Sequence, residues 1–191
     1  FFVIALVYPL TGFRKQEAIV PGEYDEIKDK VVSFMSSKGY ELESEEGVGT
    51  TVIITGATGT GKTYLANALG DRACRQGHKV MYSTLERLLD KARLARIEGK
   101  EMKFFDKMNR IDLLILDDWG LKKIEGQQMM DLEQILDDRY GVKSLIISSQ
   151  LPVSEWHALF SNELIADACL DRVVHRSVRL TLVGESMRKK Y

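Results

Sequence analysis

The sequence predicts an α/β fold, a parallel sheet of five strands flanked by helices. Three observations carry this. From about residue 50 onward, short apolar runs alternate with stretches of helical period, the pattern of an α/β sheet. The apolar runs read as buried parallel strands, because helices cover both faces of such a sheet. A glycine-bearing loop, GATGTGKT, separates the first of these strands from the first helix.

The elements follow in order. TTVIITG at 50–56 is a strand, 63–76 a helix and HKVMYS at 78–83 a second strand. Residues 84–97 form a helix, 111–117 a third strand and 126–140 a helix. KSLIISSQ at 143–150 is a fourth strand, 163–175 a helix and SVRLTLV at 177–183 a fifth strand. Upstream, Ile27, Val31 and Phe34–Met35 recur at helical spacing, and Gly39 is a plausible stop. The opening FFVIALVYPL is too short to span a bilayer and lacks the flanks of a signal peptide. It reads as a buried strand. The chain starts without Met, which suggests a fragment or a processed protein. Residues 1–50 are set apart as a segment of unclear role, and 51–191 as one α/β domain.

Composition bounds the function. The 191 residues are 45% hydrophobic and 29% charged, with a formal net charge of −1. The chain therefore reads as soluble and globular, and no global field draws it to nucleic acid. Residues 1–50 hold nine acids against five bases, which argues against DNA contact there. Cys74 and Cys169 are too few for a disulfide framework and suit a reducing cytoplasm. Both are expected to be free buried thiols. His78, His157 and His175 have no metal-site spacing, and Trp119 and Trp156 are read as packing residues.

The chemistry centres on Gly56, Ala57, Thr58, Gly59, Thr60, Gly61, Lys62 and Thr63, a complete phosphate-loop pattern in strand–loop–helix context. Its glycines let backbone amides turn toward phosphate oxygens, and the following helix adds its N-terminal dipole. Lys62 is expected on the β- and γ-phosphates of ATP, with the Thr63 hydroxyl on Mg²⁺. LILDDWG at 114–120 supplies the other half of the site. An ionised carboxylate ending a buried strand is costly unless a cation meets it, and Mg²⁺ is that cation for Asp117. Asp118 would point the other way and polarise the attacking water, or else serve as a cap or turn residue.

These stretches, with DDRYGVKSLIISSQLPVSEWH, ADACLDRVVHR and GESMRKK, resemble the IstB/DnaC group of AAA+ ATPases over about residues 51–190. Within that group they resemble the IstB-type helpers of insertion-sequence transposases. The resemblance implies ATP hydrolysis by an AAA+ core without a separate C-terminal lid. It also implies a homo-oligomer with ATP sites at subunit interfaces, bound to double-stranded DNA and acting on a transposase. Gln150 resembles the family's sensor residue, able to contact the γ-phosphate or the water; a solvent-exposed strand end is its plainer reading. Arg172 resembles the arginine finger that enters a neighbour's site, with an intramolecular salt bridge as the alternative. Arg188 resembles the second sensor arginine on the phosphates. Many AAA+ enzymes carry Glu where Asp118 stands, and the shorter reach fits a slow ATPase.

Residues 85–110 hold eight bases and five acids. Arg87, Lys91, Arg96, Lys100 and Lys103 there, and Lys122 and Lys123 after the acid pair, are candidate DNA-phosphate contacts, or an ordinary solvated helix face. A helicase loader of the DnaC type and a nucleotide-gated DNA-binding scaffold are the competing functions. A small-molecule kinase is the weakest, because no acceptor segment or substrate lid is visible.

Overall fold

The computed structural model describes residues 17–21, 49–175, 177–184 and 186. The expected strand at 1–10 and helix near 27–39 lie outside them. The described strands form one six-stranded sheet in the order β1-β6-β2-β5-β4-β3, parallel throughout. In chain order these are β1 (Glu17–Pro21), β2 (Thr51–Gly56), β3 (Val80–Thr84), β4 (Leu113–Trp119), β5 (Ser144–Ser149) and β6 (Ser177–Val183). The five strands expected after residue 50 are all present. The sixth, β1, joins the sheet edge beside β6, with Glu17 opposite Arg179. The helices are α1 (Lys62–Arg75), α2 (Leu85–Ile97), α3 (Glu101–Asn109), α4 (Gln127–Arg139) and α5 (Glu163–Val174).

Strand alternation divides the core between the two faces. Ile53, Leu114, Leu116, Leu145 and Ile147 point into a cluster shared with α2 to α5. Val52, Ile54, Leu113, Ile115 and Ile146 point the other way, against Leu65, Ala66 and Ala73 of α1. β4 and β5 are interior strands, each paired on both sides, and β5 is buried along its whole length, as continuous apolar strands require. Trp119 and Trp156 pack in the larger cluster with ring centroids 5.1 Å apart.

α3 is the helix the sequence reading did not foresee. Gly99, at φ 66°, breaks the helical run after Ile97. Phe105 and Met108, three apart, then give α3 a narrow buried stripe. The many bases around that stripe make it easy to overlook. The cysteines divide: Cys169 is buried, as expected, but Cys74 is exposed on α1. Burial pushes the Cys169 thiol up to about 12.

Arg139 fixes the end of the sheet remote from the phosphate loop. Its buried guanidinium donates to the carbonyls of Met108, Ile111, Asp112 and Ser144 at 2.8–3.3 Å. The end of α3 and the starts of β4 and β5 thus share one cation, and burial lowers its pKa to about 10.

Candidate nucleotide-binding site

β2 runs into the phosphate loop, which turns directly into α1. Gly61 takes φ 93° at the helix N-cap, a left-handed conformation that suits glycine. No described side chain caps the helix there, so the first-turn amides and the helix dipole suit an anion. The loop is braced internally, with Thr60 Oγ1 donating to the Ala57 carbonyl at 2.9 Å. Lys62 is buried, and its Nζ donates to the carbonyls of Gly56 and Ala57, both at 2.8 Å. A lysine ammonium held against the loop at an uncapped helix N-terminus supplies donors of the kind that polyphosphate recognition needs.

Asp117, on β4, faces this loop and is 3% exposed. Its Oδ2 accepts from Thr63 Oγ1 and from Tyr82 Oη, each at 2.7 Å. Its Oδ1 accepts from Ser148 Oγ and, at 2.9 Å, from the Asp118 amide. Burial alone would raise its pKa, but the Ser148, Tyr82 and Thr63 hydroxyls and the Asp118 amide outweigh it. The carboxyl is therefore held below its ordinary value. Burial, reinforced by the carboxylate it bonds, pushes Tyr82 well above the usual phenol range. A hydroxyl and an ionised carboxylate in direct contact form a hard-oxygen pair of the kind that takes Mg²⁺.

Asp118 breaks the strand. Leu116 pairs with Ile147 and Trp119 with Ser149, so one extra residue is accommodated as a bulge. Asp118 has φ 57°, the one left-handed non-glycine among the described residues. It is half-buried and borders a cleft of about 280 Å³ with Thr84, Leu85, Lys122 and Lys123. Its charge acts on Tyr82. The simple alternation expected for the acid pair is thus replaced by a bulge that aims each acid separately.

Gln150, just beyond β5, comes to the loop: Thr58 Oγ1 donates to its Oε1 at 2.7 Å. β5 pairs with β2 in the sheet, which puts a residue at that strand end within reach of the phosphate site. Ser186 returns the chain after β6 to the same place; a Cβ built on Gly59 would meet its Oγ at 2.1 Å. Arg188 lies outside the described residues. Arg172 is not brought into this cluster. It lies on α5, where its Nη1 donates to the Ala168 carbonyl and its Nε and Nη2 reach Asp137.

The candidate DNA contacts divide likewise. Arg96 is held by Glu101 and, at 2.7 Å, by the buried Asp131, joining α2, α3 and α4. Lys100 pairs with Glu98 and Lys122 with Glu86. Arg87, Lys91, Lys103 and Lys123 are exposed. Tyr82, Ser148 and Ser186 are site residues the sequence reading missed. Their signal is faint, since the Asp117 partners lie on neighbouring strands and are not adjacent in sequence.

The family model described as IstB-like ATP binding protein matches residues 38–191. The chain belongs to that family. IstB-like relatives include a putative insertion sequence ATP-binding protein, y4pL, of Sinorhizobium fredii, 48% identical over 136 residues. That match covers 71% of this chain and 56% of the relative. The IS21 putative ATP-binding protein of Pseudomonas aeruginosa is 32% identical over 164 residues, covering 86% of this chain and 60% of that protein. The chain thus spans little more than half the length of these IstB-like relatives. Among solved structures, the DnaC helicase loader superposes with a TM-score of 0.66 at 20% identity. That superposition covers 86% of this chain and 93% of DnaC. AMPPCP-bound DnaA of Aquifex aeolicus gives a TM-score of 0.64 at 18% identity, over 85% of this chain and 50% of that one. Both likenesses show the fold alone, a parallel α/β sheet carrying a phosphate loop. No described helix is long and apolar enough to cross a membrane.

Proposed function

We propose that this chain hydrolyses ATP with Mg²⁺ and uses the nucleotide to control an oligomer on double-stranded DNA that stimulates a transposase. The observation that carries the proposal is the direct Thr63–Asp117 contact beside a phosphate loop, in a chain whose relatives are named insertion sequence ATP-binding proteins. Mg²⁺, when bound, offsets charge on the β- and γ-phosphates.

The chain's own residues divide the work. The loop amides and Lys62 bind the phosphates, while Thr63 and Asp117 hold the metal side. Asp118 orients the attacking water, and Gln150, tethered to Thr58, senses the γ-phosphate. Arg188 contacts the phosphates, and Arg172 completes a neighbouring subunit's site, where a guanidinium stabilises charge in phosphoryl transfer. Arg87, Lys91, Lys103 and Lys123 are the exposed bases best placed for DNA phosphates. Arg96, Lys100 and Lys122 would first have to leave their acids.

The test is DNA-stimulated ATP turnover and assembly in wild type, Lys62→Ala and Arg172→Ala. Lys62→Ala should lose nucleotide binding. Arg172→Ala should keep nucleotide binding but lose turnover and assembly, and mixing it with Lys62→Ala should restore part of the turnover at mixed interfaces. Wild-type turnover and assembly in Arg172→Ala would remove the finger role. Capture of a replicative helicase in place of a transposase would turn the reading toward helicase loading.

A further inference from the structure

The buried Asp117 carboxylate accepts from four donors, two on each oxygen. Ser148 Oγ, the Asp118 amide and Thr63 Oγ1 already approach it from β5, β4 and α1. The fourth donor, Tyr82 Oη, comes from β3 at the edge of the sheet and shares Oδ2 with Thr63 at the same 2.7 Å. Tyr82 pairs with Ile115, and Thr84 with Asp117, so the tyrosine reaches two residues forward along the strand to make this bond. Its side chain is not there to fill the core, because the residue is 43% exposed. A phenylalanine would cover the same surface without the hydroxyl, so the hydroxyl needs a reason of its own.

We propose that Tyr82 is a positioning residue for Mg²⁺: its hydroxyl fixes the orientation of Asp117 Oδ2, the oxygen also bonded by Thr63. This rests on the ATP–Mg²⁺ reading above and adds to it a residue from the edge strand. The chemistry is that of groups lying just behind metal ligands. A carboxylate clamped by hydrogen bonds presents its oxygens in one geometry and loses less rotational freedom on binding, and removing such a clamp typically weakens metal affinity 10- to 100-fold. Mg²⁺ is sensitive to this because it demands near-octahedral ligand placement and keeps several waters. The phenol oxygen, whose O–H donates to Asp117, retains lone pairs that can accept from such a water.

The experiment uses the full chain and a fluorescent, non-hydrolysable ATP analogue, titrated with Mg²⁺ and separately in EDTA. In Tyr82→Phe the Mg²⁺ concentration giving half-maximal tightening should rise about tenfold or more, with affinity in EDTA unchanged. Thr63→Ala should abolish the Mg²⁺ response and marks the full effect. A wild-type Mg²⁺ midpoint in Tyr82→Phe overturns the proposal. Equal losses with Mg²⁺ and in EDTA also overturn it, since they indicate general damage to the pocket. A wild-type protein whose nucleotide affinity ignores Mg²⁺ instead overturns the metal reading on which the proposal stands. Because the ring is exposed, Tyr82→Phe should fold normally, and a melting curve verifies it.

Discussion

Arg172 and Asp137 join α5 to α4: Nε and Nη2 of the guanidinium lie 2.8 and 2.7 Å from the same carboxylate oxygen. The intramolecular ion pair foreseen as the alternative for Arg172 thus exists within one chain. It does not oppose a role between subunits, because a partly exposed pair of this kind contributes only about 0.2–1 kcal/mol and breaks readily. Asp137→Asn should therefore cost less than about 1 kcal/mol in denaturant unfolding. If Arg172 serves a neighbour, the same variant should assemble at lower ATP concentration, since one competitor for the guanidinium is gone. Light scattering against ATP concentration reads this directly, and delayed assembly would mean that Asp137 presents Arg172 and does not restrain it.

Arg139 leads to the opposite expectation. Four carbonyls depend on one buried cation, so truncation strands several acceptors at once. Arg139→Ala should destabilise the fold clearly, because each buried carbonyl left without its donor costs about 1–3 kcal/mol. Arg139→Lys should recover only part of the loss, because an ammonium cannot reproduce the planar fork. Urea midpoints at constant slope would measure both.

At Asp118, backbone and side chain call for different residues. The left-handed φ of 57° costs a non-glycine residue about 1–2 kcal/mol. Asp118→Gly should thus leave stability unchanged or raise it by up to about 1 kcal/mol, while ATP turnover falls. Asp118→Val should lose both. Melting temperature and turnover moving in opposite directions in the glycine variant would identify a residue kept for chemistry at some cost in stability. A glycine variant with full turnover would remove Asp118 from the reaction.

Asp117 also carries a pH dependence with a definite sign. Its folded pKa lies below the ordinary 3.8. The native state therefore favours the ionised form, and the resulting stability is fully present above that ordinary value. It is lost as pH falls from there through the lower folded pKa. Asp117→Asn should flatten this part of the acid limb, and its stability deficit should shrink as the pH is lowered. Unfolding free energies at neutral pH and in the acid range test this; a deficit that grows on acidification would give the shift the wrong sign.

How far the sequence could be read follows from where each signal is stored. The phosphate loop and Asp117 were legible because contiguous residues carry them, glycines at fixed spacing and an acid ending an apolar run. The five strands after residue 50 were legible for the same reason. β1 was not, because EAIVP is short and its place depends on pairing with a strand far along the chain. α3 was hidden because two buried residues, Phe105 and Met108, make a weak period among many charges. Tyr82 and Ser148 become site residues only when β3, β4 and β5 lie side by side. Arg96 misleads in the opposite direction: it reads as a surface base until Asp131, 35 residues on, comes within 2.7 Å.

Arg139 and Asp117 occupy opposite ends of the same two neighbouring strands. One gathers the starts of β4 and β5 through backbone carbonyls, and the other gathers their far ends through hydroxyls and a carboxylate. The sheet is consequently riveted at one rim and only laced at the other. The Asp117 contacts can therefore be lost while the strand starts stay tied through Arg139.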